Sequence, residues 1–315
     1  MSLAAAVKTL KSSSFITWKS TGKLQQTVAK SIERTGRGLH SGGVFTVKIL
    51  PAAARSGRCF IFRSAVIRAS ILNAVKDTPL CTTLSYDGHR VQTVEHLLSA
   101  LEASGVDNCH IEIGVSGDYD GSGEVVPIFD GSAREWVEAV NQAGLKVAVD
   151  SGGRSCEKLA PYLSEPVHMM KNDSFIAAFP YPKVNISYGI DYPQAPEIGR
   201  QWFSSTLLDE SLYSEAIAQA RTFCLYEEVE HMRNLGLIKG GSTETAIICS
   251  MNKGWLNPPL RYVDEPCRHK VLDLIGDMSL LAQEGNQGLL VAHIVAYKGG
   301  HSLHTEFVRH LSGYG

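Results

Sequence analysis

No apolar run in this chain reaches the roughly 20 residues that a helix needs to cross a bilayer, so no transmembrane segment is expected. Its seven cysteines, at 59, 81, 109, 156, 224, 249 and 267, never stand in CxxC spacing and are odd in number. A full disulfide framework and a cysteine-ligated zinc are therefore not expected, and free thiols in a reducing compartment are. A net charge of −2 leaves no basic excess for binding nucleic acid. HExxH, the signature that puts two metal-binding histidines on one helix face, is missing. So is an EF-hand: Asp118 and Asp120 lie in a Gly/Ser/Asp-rich stretch, 114–124, without the twelve-residue pattern and its closing glutamate, and this stretch reads as a surface loop. Acids are absent at the start, where Lys8, Lys11, Lys19, Lys23 and Lys30 precede the first one, Glu33. That basic segment, with Ser12-Ser13-Ser14 and without the continuous apolar core of a secretory signal, has the profile of an organellar transit peptide, although it holds no arginine before Arg34.

What is present is the pattern of a globular α+β chain, and 315 residues suggest two domains. Alternating, β-branched stretches predict strands at 44–50 and 108–113, and periodic ones predict helices at 93–104, capped by Gln92 or Thr93, and 132–143, capped by Ser132 and stopped at Gly144. Gly152-Gly153 reads as a linker. Beyond it, strands are expected near 174–179, 184–190, 246–250 and 289–296, and helices near 211–219, 226–235, 266–283 and 303–311. Strands and helices mixed without regular βαβ alternation point to sheets with helices packed on one side.

Two segments carry chemistry. In His269-Lys270-Val271-Leu272-Asp273-Leu274-Ile275-Gly276-Asp277, helical spacing puts His269, Asp273 and Asp277 on one edge of a helix whose other faces are apolar. A buried unpaired carboxylate is costly, which favours a metal, a partner charge or water there; an ordinary solvated face with a local His–Asp pair is the other reading. In Thr93-Val94-Glu95-His96-Leu97-Leu98, adjacent Glu95 and His96 leave a helix about 100° apart. They cannot ligate from one face, but an imidazole on a metal and a carboxylate on the attacking water would suit them. A Glu-His pair in a helix is otherwise ordinary surface or core.

TVEHLLSAL, ARTF, GGS, RHKVLDLIGD and AYKGGHSLH, in that order, resemble the UDP-3-O-acyl-N-acetylglucosamine deacetylases, zinc enzymes of the committed step of lipid A synthesis in Gram-negative bacteria. TGRGLHSG near residue 40, DTPLCTTL at 77–84 and PIFDGSA at 127–133 belong to the likeness, which runs from about Gln26 to His304.

The resemblance implies zinc ligands His96, His269 and Asp273, a catalytic glutamate at Glu95, and a catalytic histidine at His301 paired with Asp277. It implies that Thr222 hydrogen-bonds the reacting carbonyl and that Lys270 lies near the nucleotide and the reaction. Three protein ligands leave zinc an open position, as in catalytic sites. The implied fold is a two-domain α+β sandwich with facing helix layers: a transit peptide at 1–25, domain 1 at 26–150 with Glu95 and His96, and domain 2 at 151–315 with His269 and Asp273. A small βαβ insertion at about 223–250 would take the acyl chain, with Phe223, Leu225, Leu235, Leu237 and Ile238 as lining candidates, though ordinary core is the rival reading for each, and Lys239 at its mouth. Thr222, Phe223, Leu225, Ile238 and Lys270 are thus the expected substrate contacts. The expected reaction removes the N-acetyl group of a UDP-linked 3-O-acylated glucosamine; a zinc amidohydrolase of another acylated amino sugar and a non-catalytic binding relic are the alternatives. A monomer is expected, in a plant mitochondrion, with the plastid as the alternative.

Overall fold

The computed structural model describes residues 13–313, apart from 63–64, 77, 79, 117–123, 206–208, 236 and 258. Two five-stranded sheets organise them. The first runs, in spatial order, Ile32–Arg37, Val44–Pro51, Cys109–Ser116, Arg58–Phe62 and Ala65–Arg68. The second runs Val167–Lys171, Ser174–Pro180, Ala292–Tyr297, Asn185–Tyr192 and Gly199–Ser204. Both are antiparallel except at one pair each: Arg58–Phe62 runs parallel to Cys109–Ser116, and Asn185–Tyr192 parallel to Ala292–Tyr297. Alternation decides which face is buried. Phe45, Val47 and Ile49 of one strand are sealed in the core, as are Ile186, Tyr188 and Ile190 of another. Mainly antiparallel sheets joined to packed helices accord with the α+β class.

The sheets position three helices. Glu265–Met278 packs against Asn185–Tyr192, against Gly199–Ser204 and, most extensively, against Glu95–Ala103. His301–Ser312 packs against Glu265–Met278 and against strands Val167–Lys171 and Ser174–Pro180. The two helices that meet are buried nearly all round, including their polar residues, because protein covers more than one face. Gly276 permits that meeting. A Cβ there would press into the carbonyl oxygen of Glu95, 2.8 Å from its carbonyl carbon and 3.0 Å from its Cα.

The first helix starts at Glu95 without the expected side-chain cap: Val94 is its N-cap residue, and Thr93 takes a left-handed φ of 59°. The helix expected at 211–219 shortens to Glu210–Leu212, capped by Asp209, followed by one π turn at Tyr213–Ile217. That expected at 266–283 ends at Met278, and that at 303–311 begins earlier, at His301. Gly152-Gly153 forms a tight turn, with the Gly153 amide donating to the Asp150 carbonyl at 2.9 Å. The expected βαβ unit is seen: Phe223–Leu225 and Ile247–Ser250 pair in parallel, joined by the helix Tyr226–Asn234.

The leader needs a correction. Residues 1–12 lie outside the described residues, but Ile16–Leu24 is a strand of the folded body, paired antiparallel with Glu157–Leu163, and it buries Ile16 and Trp18. A boundary at residue 25 would strip that strand from the core, so the removable leader suggested by the basic composition of this segment does not reach residue 25. Asp118 and Asp120 lie outside the described residues.

Gly276→Ala is expected to destabilise the protein by about 2 kcal/mol or more, despite alanine's better helix propensity, because the clash is with backbone that cannot rotate away. Equilibrium unfolding in urea checks this; an unchanged or raised stability would mean that the helices tolerate separation.

Candidate metal centre

Where the two helices cross, side chains from distant segments converge. His96 follows Glu95 at the start of one helix, while His269 and Asp273 lie one turn apart on the other. Asp273 Oδ1 sits 3.3 Å from His269 Nε2 and 3.6 Å from His96 Nε2, and the imidazole rings stand edge to face, 5.0 Å apart. All three residues are buried. His269 Nδ1 lies 3.0 Å from the Ala220 carbonyl, so its proton goes there and Nε2 is left as a bare lone pair. Among the described residues, Asp273 Oδ1 has no hydrogen-bond partner, and neither has His96 Nδ1. An orphaned carboxylate oxygen facing two imidazole nitrogens is what a divalent cation would satisfy, and these three residues fit one.

The charges agree. Burial drives the His269 pKa down to about 3, the Asp273 carboxylate notwithstanding, so the imidazole is neutral, as a ligand must be. Burial opposes ionisation of Asp273, but the cations of Lys270 and His301 beside it outweigh that and hold its carboxyl well below the usual range. Lys270 Nζ is 2.9 Å from the other oxygen, Oδ2; burial works against its charge, yet Asp273 keeps it raised and protonated.

Glu95 and His301 face each other across the same space, with Oε1 4.0 Å from Nε2. Burial is the main cause raising the Glu95 pKa, offset by His301 and His96. His301 opens its helix behind Gly299-Gly300, and its Nδ1 lies 2.9 Å from Asp277 Oδ2. Burial works against its charge, but Asp277, Asp273 and Glu95 prevail and raise its pKa to about 9.

A cavity of about 190 Å³ is lined by Glu95, His96, Thr222, His269, Lys270, Asp273 and His301 together with Tyr192, Phe223 and Leu225. Cavities of about 440 and 460 Å³ lie elsewhere, so it is the concentration of buried titratable groups, not volume, that marks this one. Thr222 is set by the PIFDGSA segment: its amide donates to the Gly131 carbonyl at 2.7 Å, and Gly131, at φ 86°, leaves no room for a side chain beside Thr222 Cγ2. An adjoining apolar cavity of about 130 Å³ shares Leu39, Leu80, Thr222, Phe223, Cys224 and Met232 with the first, and adds Val229, Ile238 and Ile248.

Eight expected catalytic and metal residues thus come together: Glu95, His96, Thr222, His269, Lys270, Asp273, Asp277 and His301, with Asp277 behind His301. Phe223 and Leu225 line the first cavity, whereas Ile238 lines the second. Leu235 and Leu237 are corrections: at 62% and 41% exposure they stand on the surface and line neither cavity, since helical and loop geometry turns them outward. Lys239 is exposed and outside both linings. Sequence reasoning missed Leu39, Leu80 and Thr82, although the motifs TGRGLHSG and DTPLCTTL contained them, and it missed His304 and Tyr188.

The sequence pattern of the UDP-3-O-acyl N-acetylglycosamine deacetylase family matches residues 25–313. The chain is 55% identical over 301 residues to "Probable UDP-3-O-acyl-N-acetylglucosamine deacetylase 1, mitochondrial" of Arabidopsis thaliana, covering 96% of this chain and 92% of that protein. It is 43% identical over 294 residues to the UDP-3-O-acyl-N-acetylglucosamine deacetylase of Trichormus variabilis, covering 91% of this chain and 98% of the relative. With the protein of that name from Thermosynechococcus vestitus, identity is 41% over 288 residues, covering 90% and 93%.

Replacing His96, His269 or Asp273 singly by alanine is expected to reduce bound zinc sharply in protein loaded with one equivalent and then dialysed. Metal analysis by atomic emission reads the result; stoichiometric zinc after loss of His269 would contradict the centre described here.

Proposed function

This chain belongs to the UDP-3-O-acyl N-acetylglycosamine deacetylase family, and on that premise we propose how its own residues carry the reaction. The chain is an enzyme that hydrolyses the N-acetyl group of a UDP-linked 3-O-acyl-N-acetylglucosamine, releasing acetate and leaving the free amine. The observation that carries the reading of the site is the orphaned Asp273 oxygen between two imidazoles, in one cavity with Glu95 and His301.

The metal is zinc in this proposal, held by His96, His269 and Asp273; when bound it would polarise the acetamide carbonyl and acidify the attacking water. Glu95 takes the proton of that water. Its Oε1 faces the cavity while Oε2 is engaged by the Thr82 amide, and its raised pKa makes the carboxylate a better base than an exposed one. The Thr222 hydroxyl donates to the carbonyl oxygen as charge develops there. His301, protonated and held by Asp277, gives its proton to the departing amine, which leaves poorly without one. Lys270, fixed by Asp273 and with its Nζ 5.7 Å from the centre of the Phe223 ring, provides a cation for the anionic nucleotide. Phe223, Leu225 and Ile238 line the way into the apolar cavity, which suits the acyl chain.

The first sheet is built from strands between residues 32 and 116 and the second from strands between 167 and 297, which supports two domains, 26–150 and 151–315, with the reaction between them. Mitochondrial localisation has the support of the Arabidopsis relatives' names.

Glu95→Ala should keep its zinc and lose at least about two orders of magnitude in kcat, because the base is not a ligand. For His301 the sign is set by a raised pKa: the proton is present below about pH 9 and lost as pH rises through that value. A cation nearby pulls the value down, so the alkaline limb of the kcat/KM profile should fall between the ordinary 6.5 and about 9. His301→Ala should slow the reaction and abolish that limb; a limb unchanged in the variant contradicts the assignment.

The acyl chain gives a second test. Each buried methylene contributes roughly 0.8 kcal/mol, so kcat/KM should be far larger with a 3-O-hydroxyacyl chain than for the same sugar without it. Equal values would mean that the apolar cavity takes no part.

A further inference from the structure

The DTPLCTTL motif places one residue, Thr82, against both proton-carrying groups. It is 1% exposed. Its amide donates to Glu95 Oε2 at 2.9 Å, and its hydroxyl donates to Asp277 Oδ1. Its carbonyl accepts the amide of Val94 at 3.3 Å, which ties the segment to the start of the helix that bears Glu95. Glu95 and Asp277 stand on different helices, so Thr82 links the two at their crossing.

The donors around Asp277 leave its carboxylate little freedom. His301 Nδ1 and His304 Nδ1 each lie 2.9 Å from Oδ2. Asp277 is ionised: burial opposes this, but the two histidines lower its pKa, so the carboxylate only accepts and both imidazoles must present N–H. His304 then offers a bare Nε2 to the Tyr188 hydroxyl at 2.9 Å. With Oδ2 taken by two imidazoles, the third donor, Thr82, holds Oδ1 and fixes the carboxylate plane. The His301 ring follows that plane, and its Nε2 points toward Glu95.

We propose that Thr82 is a positioning residue of the hydrolysis: its amide occupies one oxygen of Glu95 and leaves the other to the cavity, while its hydroxyl locks the Asp277 carboxylate that orients His301. This rests on the roles proposed above for Glu95 and His301. Threonine suits the task because a β-branched side chain has few rotamers, which keeps the hydroxyl aimed. Partners of this kind, one layer behind reacting groups, are worth about 10–100-fold in activity.

The test compares Thr82→Val, which keeps shape and amide but lacks the hydroxyl, with Thr82→Ser, which restores it. Both are assayed as zinc-loaded full-length protein on a UDP-3-O-(3-hydroxyacyl)-N-acetylglucosamine, with kcat, KM, zinc content and melting temperature measured. The valine variant should lose about 10–100-fold in kcat with KM and zinc content unchanged, and serine should recover most of the rate. Combined with Asp277→Asn, the valine substitution should cost less than it does alone, since the Thr82 hydroxyl acts chiefly through that carboxylate, although it also lies 3.3 Å from His301 Nδ1. If the valine variant melts early, Thr82→Ala carries the same expectation. Wild-type kcat in the valine variant, a serine variant as slow as valine, or the full loss repeated on Asp277→Asn would overturn the inference. Slow Glu95→Gln and Asp277→Asn variants beside a fast Thr82→Val would sink this inference alone; wild-type rates in Glu95→Gln and Asp277→Asn would sink the proposed roles first.

Discussion

The centre depends on one steric condition: two helices far apart in sequence must touch backbone to backbone at Gly276 and Glu95. A side chain at this position would push the helices apart and draw His96 away from Asp273. The glycine removes the spacer just between Asp273 and Asp277, the two carboxylates that serve opposite sides of the site. His96 is then brought to Asp273, Glu95 to His301, and Thr82 to both carboxylate partners of the proposed proton transfers.

Burial is the second condition, and it makes the same residue types behave differently within a few ångströms. His269, whose Nδ1 proton is given to a backbone carbonyl, is driven neutral, and His301, ringed by three carboxylates, is driven cationic. Asp273 is held ionised by its neighbours whereas Glu95, less well compensated, is pushed toward the protonated form. Groups whose environments push their proton affinities apart divide naturally into ligand, base and acid. The cost of burying them falls on the fold, which accounts for the depth of the network behind the site: Asp277 with three donors, Tyr188 behind His304, and Thr82 between the helices.

Much of this could be read from the chain. The strand at Val44–Pro51 follows from strict alternation, and the helix bearing His269, Asp273 and Asp277 from its 3.6-residue period. The readings that went astray did so for local reasons. Ile16–Leu24 is basic and polar on its outward side, so composition hid the alternate burial of Ile16 and Trp18 that pairing with Glu157–Leu163 creates. Thr93 looked like a cap but was turned to a left-handed φ, and Leu235 and Leu237 looked like lining but had no core to face. Thr82 and His304 lie inside the motifs DTPLCTTL and AYKGGHSLH, but neither period nor spacing singles out a residue whose partners lie 195 or 27 positions away.

The sequence by itself determined the chemical inventory: which residues can ligate, take up or release a proton, and on which helix edges they stand. This is legible because side-chain chemistry and helical period are local properties. Tertiary structure alone decided that His96 and Asp273 meet, that Asp273 Oδ1 is left without a hydrogen, and which histidine is neutral and which charged. Those outcomes depend on distances between segments more than a hundred residues apart and on the loss of water around them, and neither is a property of any short stretch of chain.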